Sequence, residues 1–192
     1  MRAPAVTLLL ISFIFVPTVS AAEWHNSFGV GIIDVNEDLE DIHRSNLQYE
    51  AKTETDVTAA MDSSYFYQPY YLYENGFAVG LGVSLSSAII ADEIFINMPL
   101  HVDVRYFFSL QSEFNAYVRA GVRYNLAFGE YVEGSKPGSI AGIGLLYQWN
   151  DNVQIGFEFI KDSSEIEYRD LANNRTESIN LNQSIFSLVF VF

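Results

Sequence analysis

The feature that most constrains this chain is an alternation of apolar and polar side chains with a period of two residues. It is clearest over residues 114–128. One parity there holds Phe114, Ala116, Val118, Ala120, Val122, Tyr124, Leu126 and Phe128. The other parity holds mostly Gly, Asn and Arg, including Arg119 and Arg123. Because successive side chains of a strand point to opposite faces, this segment predicts a β-strand with one apolar and one polar wall.

The same alternation recurs and predicts eight strands. They are expected at about 24–35, 64–74, 76–87, 94–108, 113–128, 138–149, 152–161 and 182–192. Each is near the 9–11 residues with which a tilted strand crosses a bilayer, or longer. Pro99 has no backbone N–H, so we expect a bulge or an unpaired amide position within the fourth strand.

The links between these strands alternate in length. The short links include an Asn-Gly turn at 74–76, and the long links are 36–63, 88–93, 129–137 and 162–181. Short turns at one end and long loops at the other are typical of an up-and-down antiparallel barrel. Residues 47–57 of the first long link also alternate, so they are expected to extend the second strand beyond the membrane. A ten-stranded barrel is the alternative.

The composition of the polar parity decides which wall faces outward. A soluble barrel would show the same alternation inside out, but these polar walls are rich in Gly, Ala and Ser and poor in Lys and Glu. Small residues suit the narrow lumen of an eight-stranded barrel. Aromatic residues also gather near strand ends, as at a membrane interface. The fold class is therefore predicted as all-β, an eight-stranded antiparallel up-and-down transmembrane β-barrel.

The N-terminus has the organisation of a signal peptide. Arg2 precedes an apolar stretch at 5–16, Pro17 ends it, and small residues at 19–21 form a cleavage pattern. We expect residues 1–21 to be a cleaved signal peptide, with cleavage after Ala21 or Ala22, and 22–192 to be the barrel domain. A membrane anchor is the alternative, although the stretch is short for one.

Charge and cysteine content exclude several classes. Removing Arg2 leaves 9 Lys and Arg against 24 Asp and Glu, a formal net charge of −15. Nucleic-acid binding needs clustered Lys and Arg, so it is not expected. The chain has no cysteine, so disulfides cannot stabilise it, whereas a closed barrel holds itself together by backbone hydrogen bonds.

Several segments resemble the small outer-membrane β-barrel family, which includes the OmpA-type transmembrane domain and porin-like or opacity-like eight-stranded barrels. They are MPLHVDVRYFF at 98–108, AYVRAGVRYN at 116–125, and a last strand that places Phe186, Leu188, Phe190 and Phe192 on one parity. The resemblance implies a bacterial outer-membrane protein whose C-terminal residues are an assembly signal for the barrel-assembly machinery. Outer-membrane lipid and lipopolysaccharide are the implied surroundings, and a monomer is the expected state.

The charged residues on the inward parity are the main candidate site. This lumen polar network is expected to comprise His101, Asp103, Arg105, Arg119, Arg123 and Glu158. Opposite charges on neighbouring strands can pair in a closed interior. We expect a buried ion-pair network that fills the lumen, with a gated pore or proton-linked site as the alternative.

No catalytic residue, metal site or cofactor is predicted. His43 and Ser45 in the first loop, with Ser63 and Ser64 beyond, lack an ordered nucleophile motif. The run from Asp34 to Asp38 begins like a calcium loop but then departs from the pattern. The function expected is therefore a non-enzymatic structural or surface-interaction role with a closed polar lumen. A narrow porin-like channel for small solutes is the alternative, and a lipid A-modifying enzyme is a more remote one.

Overall fold

The computed structural model describes residues 22–34, 45, 46, 49, 62–90, 93–111, 113–129 and 131–192. The predicted signal peptide, His43 and most of the first long link lie outside these residues. The strands are β1 Glu23–Asp34, β2 Asp62–Leu72, β3 Phe77–Ile90, β4 Glu93–Asn97, β5 Leu100–Gln111, β6 Phe114–Tyr124, β7 Ala127–Phe128, β8 Val132–Asn150, β9 Val153–Asp170, β10 Arg175–Asn180 and β11 Ser184–Val191. Within the described part of the chain, no helix has the length and apolar character needed to cross a membrane.

These segments form one closed antiparallel ring of eight strands. The order around the ring is β2, β1, β11, β9, β8, β6, β5 and β3, and pairing of β2 with β3 closes it. The remaining segments continue ring strands, because the register is the same on both sides of each break. The flanking pairs are Val83–Leu100 and Ser86–Asn97, Leu100–Tyr124 and Asn97–Ala127, and Lys161–Ser184 and Glu165–Asn180. The predicted eight-stranded up-and-down barrel is confirmed.

Pro99 produces the break between β4 and β5. Its carbonyl accepts the Ser84 amide at 3.0 Å, but Pro99 has no N–H to donate to the sheet. Because the register is kept, the irregularity is an unpaired amide position and not a bulge. On the other side, Met98 and Leu126 exchange two backbone hydrogen bonds, of 2.9 and 3.3 Å, which carry the strand past the proline.

The apolar parity faces outward and the polar parity faces the lumen. Val122 and Ile143 are 63% and 60% exposed, whereas Asp103 and Arg105 are 1% and 2% exposed. A water-soluble protein buries such aliphatic side chains, so exposed walls of this kind need an apolar surrounding medium. The orientation predicted from the composition of the polar walls is therefore the one found.

The two ends of the barrel differ, and we call them the turn end and the hairpin end. The turn end holds the start of β1, the end of β11 and the tight turn at Gly76. The φ of Gly76 is 82°, in the left-handed region that favours glycine. Several pairs of aromatic side chains are in contact near this end, with ring centroids 4.9–6.5 Å apart. The pairs are Trp24–Tyr71, Tyr71–Tyr73, Phe77–Tyr106, Tyr106–Phe108 and Phe114–Tyr147.

The hairpin end is more regular than the predicted long links suggested. The link expected at 162–181 is itself a β-hairpin, because β9 continues to Asp170 and β10 pairs with it. The link expected at 129–137 is shortened, since β8 begins at Val132. In the first link, Ser45, Asn46 and Tyr49 are helical. The strand extension expected over 47–57 is therefore not found at Tyr49, the one residue of that range that the structure describes.

Candidate functional site

The charged residues on the inward parity meet inside the barrel. Asp103 and Arg105 lie on β5, Arg119 on β6 and Glu158 on β9. Arg119 Nη1 lies 2.8 Å from Glu158 Oε1, and Arg119 Nη2 also pairs with Asp103 Oδ2. Arg105 Nε lies 3.3 Å from Asp103 Oδ1. All four side chains are at most 1% exposed, so Arg119 joins two buried carboxylates from different strands of the ring.

Two uncharged residues belong to the same group although the charge pattern did not indicate them. Gln68 Nε2 donates to Asp103 Oδ2 at 2.8 Å, and Arg105 donates to Gln68 Oε1. Tyr117 Oη donates to Glu158 Oε1 at 2.9 Å. The only signal for Gln68 and Tyr117 was their inward parity. We use the name lumen network for Gln68, Asp103, Arg105, Tyr117, Arg119 and Glu158.

An aromatic layer lies beside the lumen network on its turn-end side. The Arg105 guanidinium carbon is 5.0 Å from the Tyr70 ring centroid and 5.3 Å from that of Tyr117. Phe107 stands between these rings, with centroid separations of 5.6 and 5.0 Å. Desolvated cation–π contacts of this type contribute about 2 kcal/mol each. The aromatic layer therefore adds to the stabilisation of the Arg105 guanidinium, which also pairs with Asp103.

Gly144 provides the room that Tyr117 occupies. A Cβ atom at position 144 would lie 2.2 Å from Tyr117 Cζ, which is far inside van der Waals contact. The small residues of the polar parity thus leave space for large side chains from neighbouring strands. Their abundance on these walls is explained by this packing.

A second polar group lies toward the hairpin end. Arg123 Nη1 is 2.6 Å from Asp162 Oδ2, and Ser164 Oγ donates to the same carboxylate at 3.0 Å. Arg123 Nε donates to Asn125 Oδ1 at 3.1 Å. Arg123 was expected to be in one network with Arg119, but its partner is Asp162. That residue had been placed in a loop, because the expected seventh strand ended at 161.

His101 lies between these groups without joining either by a hydrogen bond from Nε2. It pairs in register with Arg123 and is 7% exposed, but its Nε2 has no hydrogen-bond partner among the described residues. Buried polar atoms of neighbouring side chains are in the same condition, namely Asn97 Oδ1, Asn125 Nδ2 and Asp162 Oδ1. Unpaired buried polar groups are costly, and internal water commonly satisfies them. The part of the lumen around His101, on the hairpin-end side of the lumen network, is therefore suited to hold ordered water.

A small apolar core lies at the hairpin end. It consists of the buried residues Tyr131, Ile166, Tyr168, Ile179 and Leu181. Asn46, from the first long link, is fully buried against it. Its Nδ2 donates to the Arg169 carbonyl at 2.6 Å and its Oδ1 accepts the Leu171 amide at 2.8 Å. Asn46 itself is therefore bound to the β9–β10 hairpin, a contact that no sequence pattern indicated.

The outer face of the β9–β10 hairpin carries paired charges. Lys136 Nζ lies 3.3 Å from Glu165 Oε2 and 3.0 Å from Ser178 Oγ. At the tip, hydrogen bonds from Asn173 hold the pKa of Asp170 below its usual value. These exposed contacts contribute little stability individually, but they give the hairpin a defined polar surface.

The turn end opens into a cavity of about 250 Å³. Glu23 and His25 lie at its edge, with 3.1 Å between Glu23 Oε1 and His25 Nε2. Its inner wall includes Tyr70 and Phe107 of the aromatic layer. The cavity therefore extends from the rim to the rings that lie beside the lumen network.

The other predicted candidates receive no support from geometry. Ser63 and Ser64 are neighbours on β2, so they point to opposite faces of the barrel wall. Among the described residues, no group of three or more His, Asp or Glu side chains is arranged to hold a metal ion. The run resembling a calcium loop lies mostly outside those residues.

The C-terminal residues on the lipid-facing parity close the ring against β1. Phe186 and Phe192 are exposed, and Phe186 stacks on Phe157 with 5.6 Å between centroids. The backbone of Phe192 exchanges two hydrogen bonds with Asn26, of 2.8 and 2.9 Å. The last residue thus takes part in the seam between the first and last strands.

Comparison with known proteins gives a family and a fold. A family model described as the OmpW family matches residues 26–172, which is more than half of the chain. A search of curated protein sequences finds no match. The broad resemblance to small outer-membrane barrels is supported, and the family matched within that group is OmpW.

Solved structures of outer-membrane proteins share this fold. Neisserial surface protein A is 14% identical over 90% of this chain and 98% of its own, with a TM-score of 0.59. OprG from Pseudomonas aeruginosa is 13% identical over 89% and 95%, with a TM-score of 0.57. Outer membrane protein W of E. coli is 14% identical over 90% and 98%, with a TM-score of 0.52. At these identities the likeness shows the architecture and not a shared activity.

Proposed function

Because the chain belongs to the OmpW family and is an integral β-barrel protein of the bacterial outer membrane, we propose that it is a monomeric surface-interaction protein whose lumen is closed. It acts without catalysis in this proposal. We take the turn end as periplasmic and the hairpin end as extracellular, since outer-membrane barrels have short periplasmic turns and longer outer loops.

The observation that carries the closed lumen is the crossing of the barrel interior by the lumen network. Arg119 bonds to carboxylates on β5 and β9, and Tyr70 and Phe107 occupy the adjacent level. The interior of an eight-stranded barrel is just wide enough for side chains to fill. The network is also balanced in charge, with two arginines and two carboxylates, so no counter-ion is needed from solution.

The extracellular hairpin supports the surface-interaction role. It extends beyond the exposed apolar belt, has its own apolar core and is fastened by Asn46. A rigid projecting element loses less conformational entropy on binding than a flexible loop does. The polar outer face around Lys136 and Glu165 would then present a fixed pattern of charges to a partner outside the cell.

Planar-bilayer recording of the mature protein tests the closed lumen. We expect no steady single-channel current, because ions would have to displace the lumen network. A matched variant, with Asp103, Arg105, Arg119 and Glu158 all changed to Ala, removes the four buried charges together and is expected to conduct more than the unaltered protein. Heat-modifiability on a gel reports whether each protein in the bilayer sample is a folded barrel.

A narrow channel for small solutes is the second candidate. The periplasmic cavity and the unpaired polar atoms around His101 favour it, because both could hold water on a path through the barrel. A stable open-channel current from the unaltered protein would support this candidate and contradict the closed lumen.

We also propose that the chain is exported with cleavage of residues 1–21 and assembled through its C-terminal strand. The alternating outward residues Phe186, Leu188, Phe190 and Phe192 supply the assembly signal. Removal of Phe192 is expected to lower the yield of heat-modifiable barrel in the outer membrane severalfold, whereas Phe192→Tyr should retain most of it. Unchanged yield after removal would show that the signal lies elsewhere.

A further inference from the structure

Lys161 differs from the other Lys and Arg side chains that the structure describes because it forms no ion pair with a carboxylate. Arg105, Arg119, Arg123, Lys136, Arg169 and Arg175 each form an ion pair with a carboxylate. Lys161 forms none within the same part of the chain. Its Nζ contacts only neutral oxygens, the Asn182 carbonyl and Ser184 Oγ, each at 3.3 Å. Among the Lys and Arg residues that the structure describes, Lys161 is thus the one without an ion pair.

Lys161 lies at the end of the lipid-facing column of side chains on β9. It follows Phe157 and Phe159 on the outward parity of β9, and it is exposed. Its register neighbours are Ala141 on β8 and Ser184 on β11, and neither carries charge. The apolar column of β9 ends at Lys161, which places the amine at the extracellular border of the lipid-facing belt.

Asp162 lies within electrostatic range of this amine but forms no ion pair with it. Asp162 is adjacent in sequence, but its side chain points into the lumen, where it pairs with Arg123. Glu165, further along the outward parity, is already paired with Lys136. Lys161 therefore presents its charge toward the headgroup layer of the membrane.

We propose that Lys161 binds a phosphate group of lipopolysaccharide in the outer leaflet, with Ser184 Oγ as an adjacent hydrogen-bond donor. An ammonium group with two neutral contacts keeps donor capacity for a charged acceptor, and charge-assisted bonds to phosphate are stronger than those it already makes. The inference rests on the assignment of the hairpin end as extracellular in the proposed function. It names a lipid contact that the closed lumen does not require.

Lipid retention by the full-length mature protein tests this site. Native mass spectrometry would compare the unaltered protein with Lys161→Met in the presence of bisphosphorylated lipid A, fully dephosphorylated lipid A or phosphatidylcholine. A cation near an anionic lipid surface contributes about 1 kcal/mol, so we expect about a fivefold loss of bisphosphorylated lipid A adducts. Adducts of the other two lipids should not change. Lys136→Met is the matched control and should behave like the unaltered protein, since Lys136 already pairs with Glu165.

The outcomes separate this site from the closed lumen and from free phosphate. Equal lipid A retention by the unaltered protein and Lys161→Met would overturn the proposal. Inorganic phosphate that stabilises the protein as strongly as lipid A, and in a Lys161-dependent way, would replace the lipid by a soluble anion and also overturn it. A stable current in the bilayer recording would contradict the closed lumen while leaving the lipid measurement to decide on Lys161.

Discussion

Replacement of Arg119 by leucine is expected to lower the free energy of unfolding by about 3–5 kcal/mol, the range found when one partner of a buried ion pair is removed. The change leaves Asp103 and Glu158 at the centre of the barrel without their shared cation. Neither carboxylate can reach water, because both side chains are fully buried. Urea unfolding of the barrel in phospholipid vesicles, followed by fluorescence of Trp24 and Trp149, would measure the effect.

Arg169→Leu is the matched control for this prediction. The Arg169 side chain is 53% exposed and its contact with Glu133 is 3.8 Å long, so its loss should cost less than about 1 kcal/mol. A second test combines Arg119→Leu with Glu158→Gln, because Asp103 keeps Arg105 as its partner whereas Glu158 has no other cation in an ion pair among the described residues. Part of the lost stability should return, because the unpaired charge of Glu158 is gone. A cost for Arg119→Leu no larger than that of the control would contradict the buried network.

Ile143→Arg is expected to destabilise the barrel by about 2–4 kcal/mol, the cost of an arginine on the lipid face near the middle of a bilayer. Ile143 is 60% exposed on the outward parity of β8, between Val118 on β6 and Phe159 on β9. No carboxylate faces this position, since its register neighbours are both apolar. The guanidinium would therefore stand in hydrocarbon.

Ser139→Arg on the same strand controls for the change itself. Ser139 shares the parity of Ile143 but lies four residues nearer the hairpin end, where its register neighbour on β9 is the polar residue Ser163. Its substitution should cost about 0–1 kcal/mol, because the side chain can reach the interface. The same unfolding assay in vesicles measures both variants. Equal costs at the two positions would show that Ile143 does not face lipid.

The strands and their faces followed from local pattern. The period-two alternation over 114–128 predicted which side of β6 would be apolar, and the composition of the other side predicted that it would face inward. Such a pattern survives folding because a strand has only two faces and one of them must meet hydrocarbon. Strand ends were less predictable. β9 runs nine residues past its expected end at 161, because pairing with β10 continues it beyond the apolar belt.

The partners within the lumen depended on how the ring closes. The sequence by itself determined that Asp103, Arg105, Arg119, Arg123 and Glu158 point inward, because parity and wall composition depend on near neighbours along the chain. Only the tertiary structure decided that Arg119 meets Glu158, 39 residues away, and that Arg123 meets Asp162. Gln68 and Asn46 show the same limit, since nothing local distinguishes them from other polar residues. The physical reason is that contacts across a barrel are set by strand order and register around the whole ring, which no single strand encodes.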